Sequence, residues 1–142
     1  MVERKELQEK ILTYRILESR LDALLKQREM MVSKLIEIQN TLGSMDEIEK
    51  TKESEKIIYN FPLGAGAYII GPVIDKKKFI VEVGANIGIE KSLEEGKQIL
   101  DKRKAEIENG LNNLHKEIAE ISAALDQLGP EIQSMSEETE VG

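Results

Sequence analysis

Few residues of this sequence carry reactive chemistry, and their spacing decides what each can do. Gly64-Ala65-Gly66 has the start of a phosphate-cradling loop. Ile69, however, stands where a dinucleotide fingerprint needs its third glycine, and no Gly-Lys-Ser/Thr follows, so after Pro62-Leu63 these glycines read as turn residues. His115 is the one histidine and there is no cysteine, so the usual zinc ligand sets cannot be assembled and His115 reads as a surface residue beside the apolar Leu114. The pairs Glu94-Glu95 and Glu137-Glu138 fall at a helix start and in a C-terminal tail, where the helix dipole and solubility account for them. Lys76-Lys77-Lys78 reads as a solvated turn. No catalytic or metal constellation emerges, no cofactor is expected, and the chemistry left to the chain is that of apolar surface.

The apolar side chains are positioned by two seven-residue repeats. With Leu7 as position a, the a series reads Leu7, Tyr14, Leu21, Arg28, Leu35, Leu42 and the d series Lys10, Leu17, Leu24, Met31, Ile38, Met45, ten of the twelve being apolar or aromatic. No proline interrupts this run, and its only glycine, Gly43, lies near the end, where Ser44 with Glu47 could recap a short last stretch. A helix from about Val2 to about Glu49 would be on the order of 70 Å long. The second repeat is Leu93, Leu100, Ile107, Leu114, Ile121, Leu128, Met135, with Leu111, Ile118, Leu125 and Ile132 on the other seam position and Lys97 and Lys104 breaking it. Ser92 with Glu95 forms a capping box at its start; Gly129-Pro130 should end or kink the helix near Leu128, and residues 136–142 read as a frayed acidic tail.

Two such helices, each with one apolar stripe, bury those stripes most simply by folding back as an antiparallel coiled coil with both termini at one end. Off the seam, Ile11 falls at e, Leu12 at f and Ile16 at c, so Leu12 and Ile16 should stay exposed near the termini, where Leu125, Leu128, Ile132 and Met135 run out of partners. Met30 and Ile36 also stand off the seam, farther from that end.

Between the helices the period changes. Ile57–Asn60 with Phe61, Ala67–Ile70, Phe79–Val83 and Ile87–Ile89 are short β-branched or aromatic runs punctuated by Pro62, Gly64, Gly66, Gly71, Pro72 and Gly84, which predicts four strands in two hairpins. Asp75 to Lys78 and Gly84-Ala85-Asn86 read as turns. Isolated hairpins are marginal in water and leave backbone edges open, so this segment implies strand pairing with other chains, through Tyr59, Phe61, Tyr68, Ile70, Phe79, Val81, Val83, Ile87 and Ile89. The expected fold is mainly α: a long two-helix coiled coil (helices in 1–56 and 92–135), a double β-hairpin in 57–91 that completes an intersubunit β-barrel, and a flexible acidic tail in 136–142.

Composition agrees with long helices better than with a compact enzyme. Of 142 residues 40% are apolar and 33% charged, yet the aromatics are only three tyrosines and two phenylalanines, with no tryptophan. The net charge of −7 resides in the second half, where Glu117 onward holds seven acids and no Lys or Arg, a poor surface for nucleic acid. That disfavours an RNA-binding helical arm. No signal-peptide core and no stretch near the ~20 apolar residues of a membrane span is present, so a soluble, cytoplasmic protein with no membrane partner is expected.

The order long helix, two hairpins, long helix resembles the α-type subunit of prefoldin, as do the phrases Phe61-Pro62-Leu63-Gly64-Ala65-Gly66-Ala67-Tyr68 and Val81 to Gly96, which contains Val83-Gly84-Ala85-Asn86. The resemblance implies a hetero-hexamer of two α-type and four β-type subunits, with hairpins joined into barrels and coiled coils hanging from them. It also implies an ATP-independent chaperone, a holdase that captures unfolded client proteins at the coil tips and delivers them to a group II chaperonin. The tip residues would be Leu7, Ile11, Leu12, Ile16, Leu125, Leu128, Ile132 and Met135. A filament-forming structural member of the same family is the alternative.

Overall fold

The structure of the chain, a computed structural model, describes residues 2–141. Helix α1 spans Val2–Lys50 and α2 spans Leu93–Val141; between them lie β1 (Ile58–Gly64), β2 (Ala67–Pro72), β3 (Lys78–Gly84) and β4 (Ile87–Ser92). The chain divides into two compact units, one holding the residues up to Lys34 with those from Ile107 on, the other Leu35–Glu106.

In the first unit the helices run antiparallel, since Lys10 pairs with Glu131 at 3.0 Å and Arg20 with Glu117 at 2.6 Å, partner numbers falling as α1 advances. The buried side chains are Leu7, Leu24, Leu111, Leu114 and Leu125, all of them seam positions. Fully burying a leucine contributes roughly 1.5–3 kcal/mol, against at most about 1 kcal/mol for each exposed ion pair, so the stripes hold this unit together and the ion pairs trim its register. The helices approach closely at Gly110, where a Cβ would lie 2.7 Å from the Met31 methyl.

Three sequence expectations about helix ends are corrected here. α1 runs through Gly43 without recapping and ends at Lys50, where the Thr51 amide donates to the Ile48 carbonyl in a tightened final turn, so residues 51–56 belong to the connector. α2 continues through Pro130, although proline removes the bond to the Asp126 carbonyl and costs about 3 kcal/mol in a helix interior. Contacts across the helix pair hold the turn: the Tyr14 ring lies 3.6 Å from where a Cβ of Gly129 would sit, and Lys10 reaches Glu131 one residue beyond the proline. The expected tail from Ser136 is helical as far as Val141, since no Gly or Pro follows Pro130 within it, and the Thr139 hydroxyl donates to the Met135 and Ser136 carbonyls. Met1 and Gly142 lie outside the described residues.

Gly43 has nothing within 4 Å of a would-be Cβ and ordinary helical backbone. Gly43→Ala is therefore expected to stabilise the chain by about 0.5–1 kcal/mol, read as a raised midpoint in urea unfolding followed by circular dichroism.

In the second unit β1 pairs antiparallel with β2, and β3 with β4, as two separate two-stranded sheets. The two turns share one design. Ala65-Gly66 and Ala85-Asn86 all have positive φ (52°, 76°, 50° and 60°), the backbone of the tight hairpin turn whose twist matches its strands, and each is preceded by a glycine, Gly64 at 110° and Gly84 at 129°, where the register shifts by a bulge. Glycine is required at 64 and 84 because side-chain residues rarely adopt that backbone. The Ser92 hydroxyl accepts from the Glu95 amide, the first half of the expected capping box, and α2 starts directly from β4.

Candidate assembly and client surfaces

Strand pairing sets which hairpin side chains share a face. Tyr59 opposes Gly71 and Phe61 opposes Ile69, so Tyr59, Phe61 and Ile69 lie on one face and Ile58, Tyr68 and Ile70 on the other. Tyr59 and Phe61 meet edge to face at 5.6 Å. All six remain exposed, Ile70 to 73%, so the first hairpin is apolar and open to solvent on both faces.

The second hairpin is different. Phe79, Val81 and Ile89 share a face turned to the start of α2, where the Val81 methyl and the Phe79 Cβ both lie 3.8 Å from the Cβ position of Gly96, and Met45 of α1 closes the cluster at 3.1 Å. Val81 is 7% exposed and Phe79 half-buried. These two of the expected intersubunit residues therefore serve the chain's own core, whereas Tyr59, Phe61, Tyr68, Ile70, Val83, Ile87 and Ile89 are exposed. Sequence reasoning missed Ile74 (97% exposed) and Ile80 (77%), which with Met45, Ile48, Tyr59 and Phe61 line an open apolar groove of about 830 Å³. Ile74 falls between the run Ala67–Ile70 and the turn that starts at Asp75, and Ile80 lies on the face of its strand opposite Phe79, Val81 and Val83; the signal available was simply a large apolar residue with no assigned role. Gly88 leaves room for Ile80, whose methyl would be 2.5 Å from a Cβ there.

The lysine run between β2 and β3 is engaged locally. Lys76 donates to the Lys52 carbonyl at 2.8 Å and to the Glu55 carbonyl, tying down the connector after α1, while Lys77 pairs with Glu53 at 2.6 Å. Lys97, one of the two lysines that break the α2 seam, pairs with Asp46 at 2.5 Å and with Glu49, joining α1 to α2 beside the hairpins. The hydrogen bond from Lys97, followed by its charge, holds the Asp46 carboxyl below its ordinary 3.8, and the hydrogen bonds to Asp46 and Glu49 hold the Lys97 ammonium above 10.5. Glu53 is lowered and Lys77 raised by the same kind of bond to each other.

A lowered carboxyl contributes stability that is present above its ordinary pKa and lost as pH falls through the folded value. A raised ammonium contributes stability that is present below its ordinary pKa and lost as pH rises through the folded value. The second unit is therefore expected to keep a level melting temperature between about pH 5 and pH 10 and to lose stability on both sides. In Lys97→Met the acid limb should flatten, as measured by thermal unfolding across pH.

At the end of the first unit the expected tip residues split into two groups. Leu7 and Leu125 are buried; Ile11, Leu128, Ile132 and Met135 are half-buried along the seam. Ile11 and Ile132 come together with Tyr14 and Pro130 around an open groove of about 460 Å³. Leu12 and Ile16 face away from the seam, each 60% exposed, as their f and c positions require. His115 is exposed. No helix among the described residues is long and apolar enough to cross a membrane.

Two long helices joined through a pair of β-hairpins, with apolar surface left open on the strands and at the helix ends, define a coiled-coil subunit of the prefoldin kind. The family profile described as "Prefoldin subunit" matches residues 17–138, and the chain belongs to the prefoldin family of chaperones. It is similar to prefoldin subunit alpha of Pyrococcus horikoshii, 29% identical over 102 residues that cover 72% of this chain and 68% of that one. It is also similar to prefoldin subunit alpha of Archaeoglobus fulgidus, 31% identical over 110 residues covering 76% and 77%. Among solved structures, the cryo-EM structure of filamentous PFD from Methanocaldococcus jannaschii superposes with a TM-score of 0.65 at 20% identity, covering 87% of this chain and 98% of that one, which shows the shared fold.

Proposed function

We propose that this chain is the α-type subunit of a cytoplasmic, ATP-independent holdase. It captures unfolded proteins on the apolar surface of its coil tips and delivers them to a group II chaperonin. Its hairpins join those of β-type subunits in closed barrels, giving a hexamer of two α-type and four β-type chains. The observation that carries the reading is the pair Leu12 and Ile16, each 60% exposed beside a half-buried seam of Ile11, Leu128, Ile132 and Met135, apolar surface that nothing in the first unit uses. Several weakly binding tips on one scaffold hold a client through effective concentration, so release needs no nucleotide.

The barrel part rests on the first hairpin, apolar on both faces and open at both strand edges. Mixing the chain with an archaeal β-type subunit and determining the mass of the product tests it: a discrete hexamer is the expected result, and two species that never combine would overturn it. The likeness to a filamentous PFD favours one second reading, a structural filament formed by this chain alone. Long rods in electron micrographs of the unmixed protein would establish that reading in place of the hexamer.

A further inference from the structure

Large exposed apolar side chains on the helices all belong to α1 among the described residues; α2 contributes none. Four of them lie in the first unit: Val32 (38%), which flanks the seam at position e, and the three most exposed, Leu12 (60%), Ile16 (60%) and Met30 (67%). Ile16 and Met30 are fourteen residues apart with the exposed Ala23 midway, so the three occupy one heptad position, c, and Leu12 sits four residues before Ile16 on the adjoining turn. They form a second apolar stripe, separate from the a/d seam that α2 covers. From Leu12 to Met30 it extends about 27 Å, five helical turns.

The charges beside the stripe have one sign. On a helix the neighbours of a residue are those three and four positions away. Leu12 has Arg15, Ile16 has Arg20, Ala23 has Arg20 and Lys26, and Met30 has Lys26 and Lys34; the only acid at any such position is Glu9. This holds in a chain of net charge −7. Arg20 and Lys26 are each answered once within the chain, by Glu117 and Asp22, whereas Arg15 and Lys34 are exposed and make no ion pair among the described residues.

From this we infer that the outer face of α1 in the first unit docks an acidic amphipathic helix of another protein, its apolar residues laid along Leu12, Ile16, Ala23 and Met30 and its carboxylates against Arg15 and Lys34. Helix is the form that fits, because a straight stripe of five turns at one heptad position accepts a second helix side by side. The bases select against cationic segments of equal apolarity, which gives the surface discrimination that exposed leucine alone lacks. The inference rests on the proposed client surface at Leu12 and Ile16 and goes beyond it at Met30 and Lys34, which lie about four and five turns past Ile16 along α1.

The test uses fluorescence anisotropy with the full chain and two labelled synthetic peptides, amphipathic helices of about 18 residues with identical leucines, one with glutamate and one with lysine on the polar face. The glutamate peptide is expected to bind, more weakly as salt rises, and the lysine peptide to bind at least about tenfold less tightly. Met30→Glu should weaken the glutamate peptide roughly tenfold through lost burial and repulsion, and Lys34→Glu several-fold, with Glu29→Gln, off the stripe, as the unchanged control. Helix content of each variant by circular dichroism separates binding loss from misfolding. Equal binding of both peptides overturns the inference. So does loss at Leu12→Glu with none at Met30→Glu, a result that would leave the tip reading standing. Self-association of the chain at micromolar concentration that Met30→Glu abolishes would assign the stripe to a second copy and likewise overturn it.

Discussion

A chain lacking residues 1–16 and 129–142 is expected to assemble as the full chain does and to have lost its suppression of aggregation. The deletion removes Ile11, Leu12 and Ile16 from α1 and Ile132 and Met135 from α2, which is all of the tip's accessible apolar surface apart from Leu128. It also removes Leu7, one buried leucine, and the Lys10–Glu131 pair. Leu24, Leu111, Leu114 and Leu125 remain to hold the shortened helices together, and the hairpins with their Lys97–Asp46 clamp are untouched. The loss to folding is therefore the burial of Leu7, part of that of Ile11, Tyr14, Ile132 and Met135, and a surface ion pair, several kcal/mol borne by the coil end and not by the hairpins. The loss to client holding is much larger, because weak tips act only in concert, and assembling the shortened chain with β-type subunits shortened at their own tips removes all six together. Light scattering of a heat-aggregating client should return to the rate seen without chaperone, while size-exclusion chromatography shows the assembly intact. Suppression that persists in the shortened chain would move the client surface off the tips.

How much of this was legible beforehand varies with the physics. The seam was readable because burial on a helix repeats with the turn, and every leucine buried in the first unit had been assigned to it from spacing alone. The turns were readable because positive φ demands Gly or Asn, although the alanines at 65 and 85 share that backbone and gave no such signal. Lys97 looked like a defect of the seam; only the structure shows Asp46 and Glu49 answering it across the helix pair, a pairing between residues about fifty positions apart that no local pattern encodes. Pro130 misled for a related reason: propensity puts a stop there, and tertiary contacts at Tyr14 and Lys10 carry the helix past it. In the hairpins, alternation identifies faces without saying which of them meets the chain's own helices. Hence Val81 and Val83, two residues apart on one strand, were given one role although only Val81 is buried in the chain.

That distinction carries the other large expected effect. Val81→Asp should unfold the second hairpin from the helices and abolish assembly, whereas Val83→Asp should leave the chain folded and weaken assembly alone. At position 81 an aspartate enters a site that is 7% exposed, beside Gly96, Met45 and Phe79, none of which can hydrogen-bond a carboxylate through its side chain. Lys97, next to Gly96 in the chain, is engaged by Asp46 and Glu49, and Arg103 by the carbonyl of Glu82, the residue after Val81. The buried methyls are lost and an unanswered charge is gained, together worth roughly 3 kcal/mol or more, enough to free β3 and β4 from α2. Val83 is 48% exposed, so an aspartate there keeps most of its water in the single chain and should change the melting temperature little. Once a neighbouring subunit covers that end of the strand, the same aspartate must be desolvated, and assembly should weaken by an order of magnitude or more, on the order of 1.4 kcal/mol and upward. Thermal unfolding of each variant beside its assembly with a β-type subunit separates the two positions. Equal behaviour of the variants would mean that Val83, like Val81, serves the fold and not the interface.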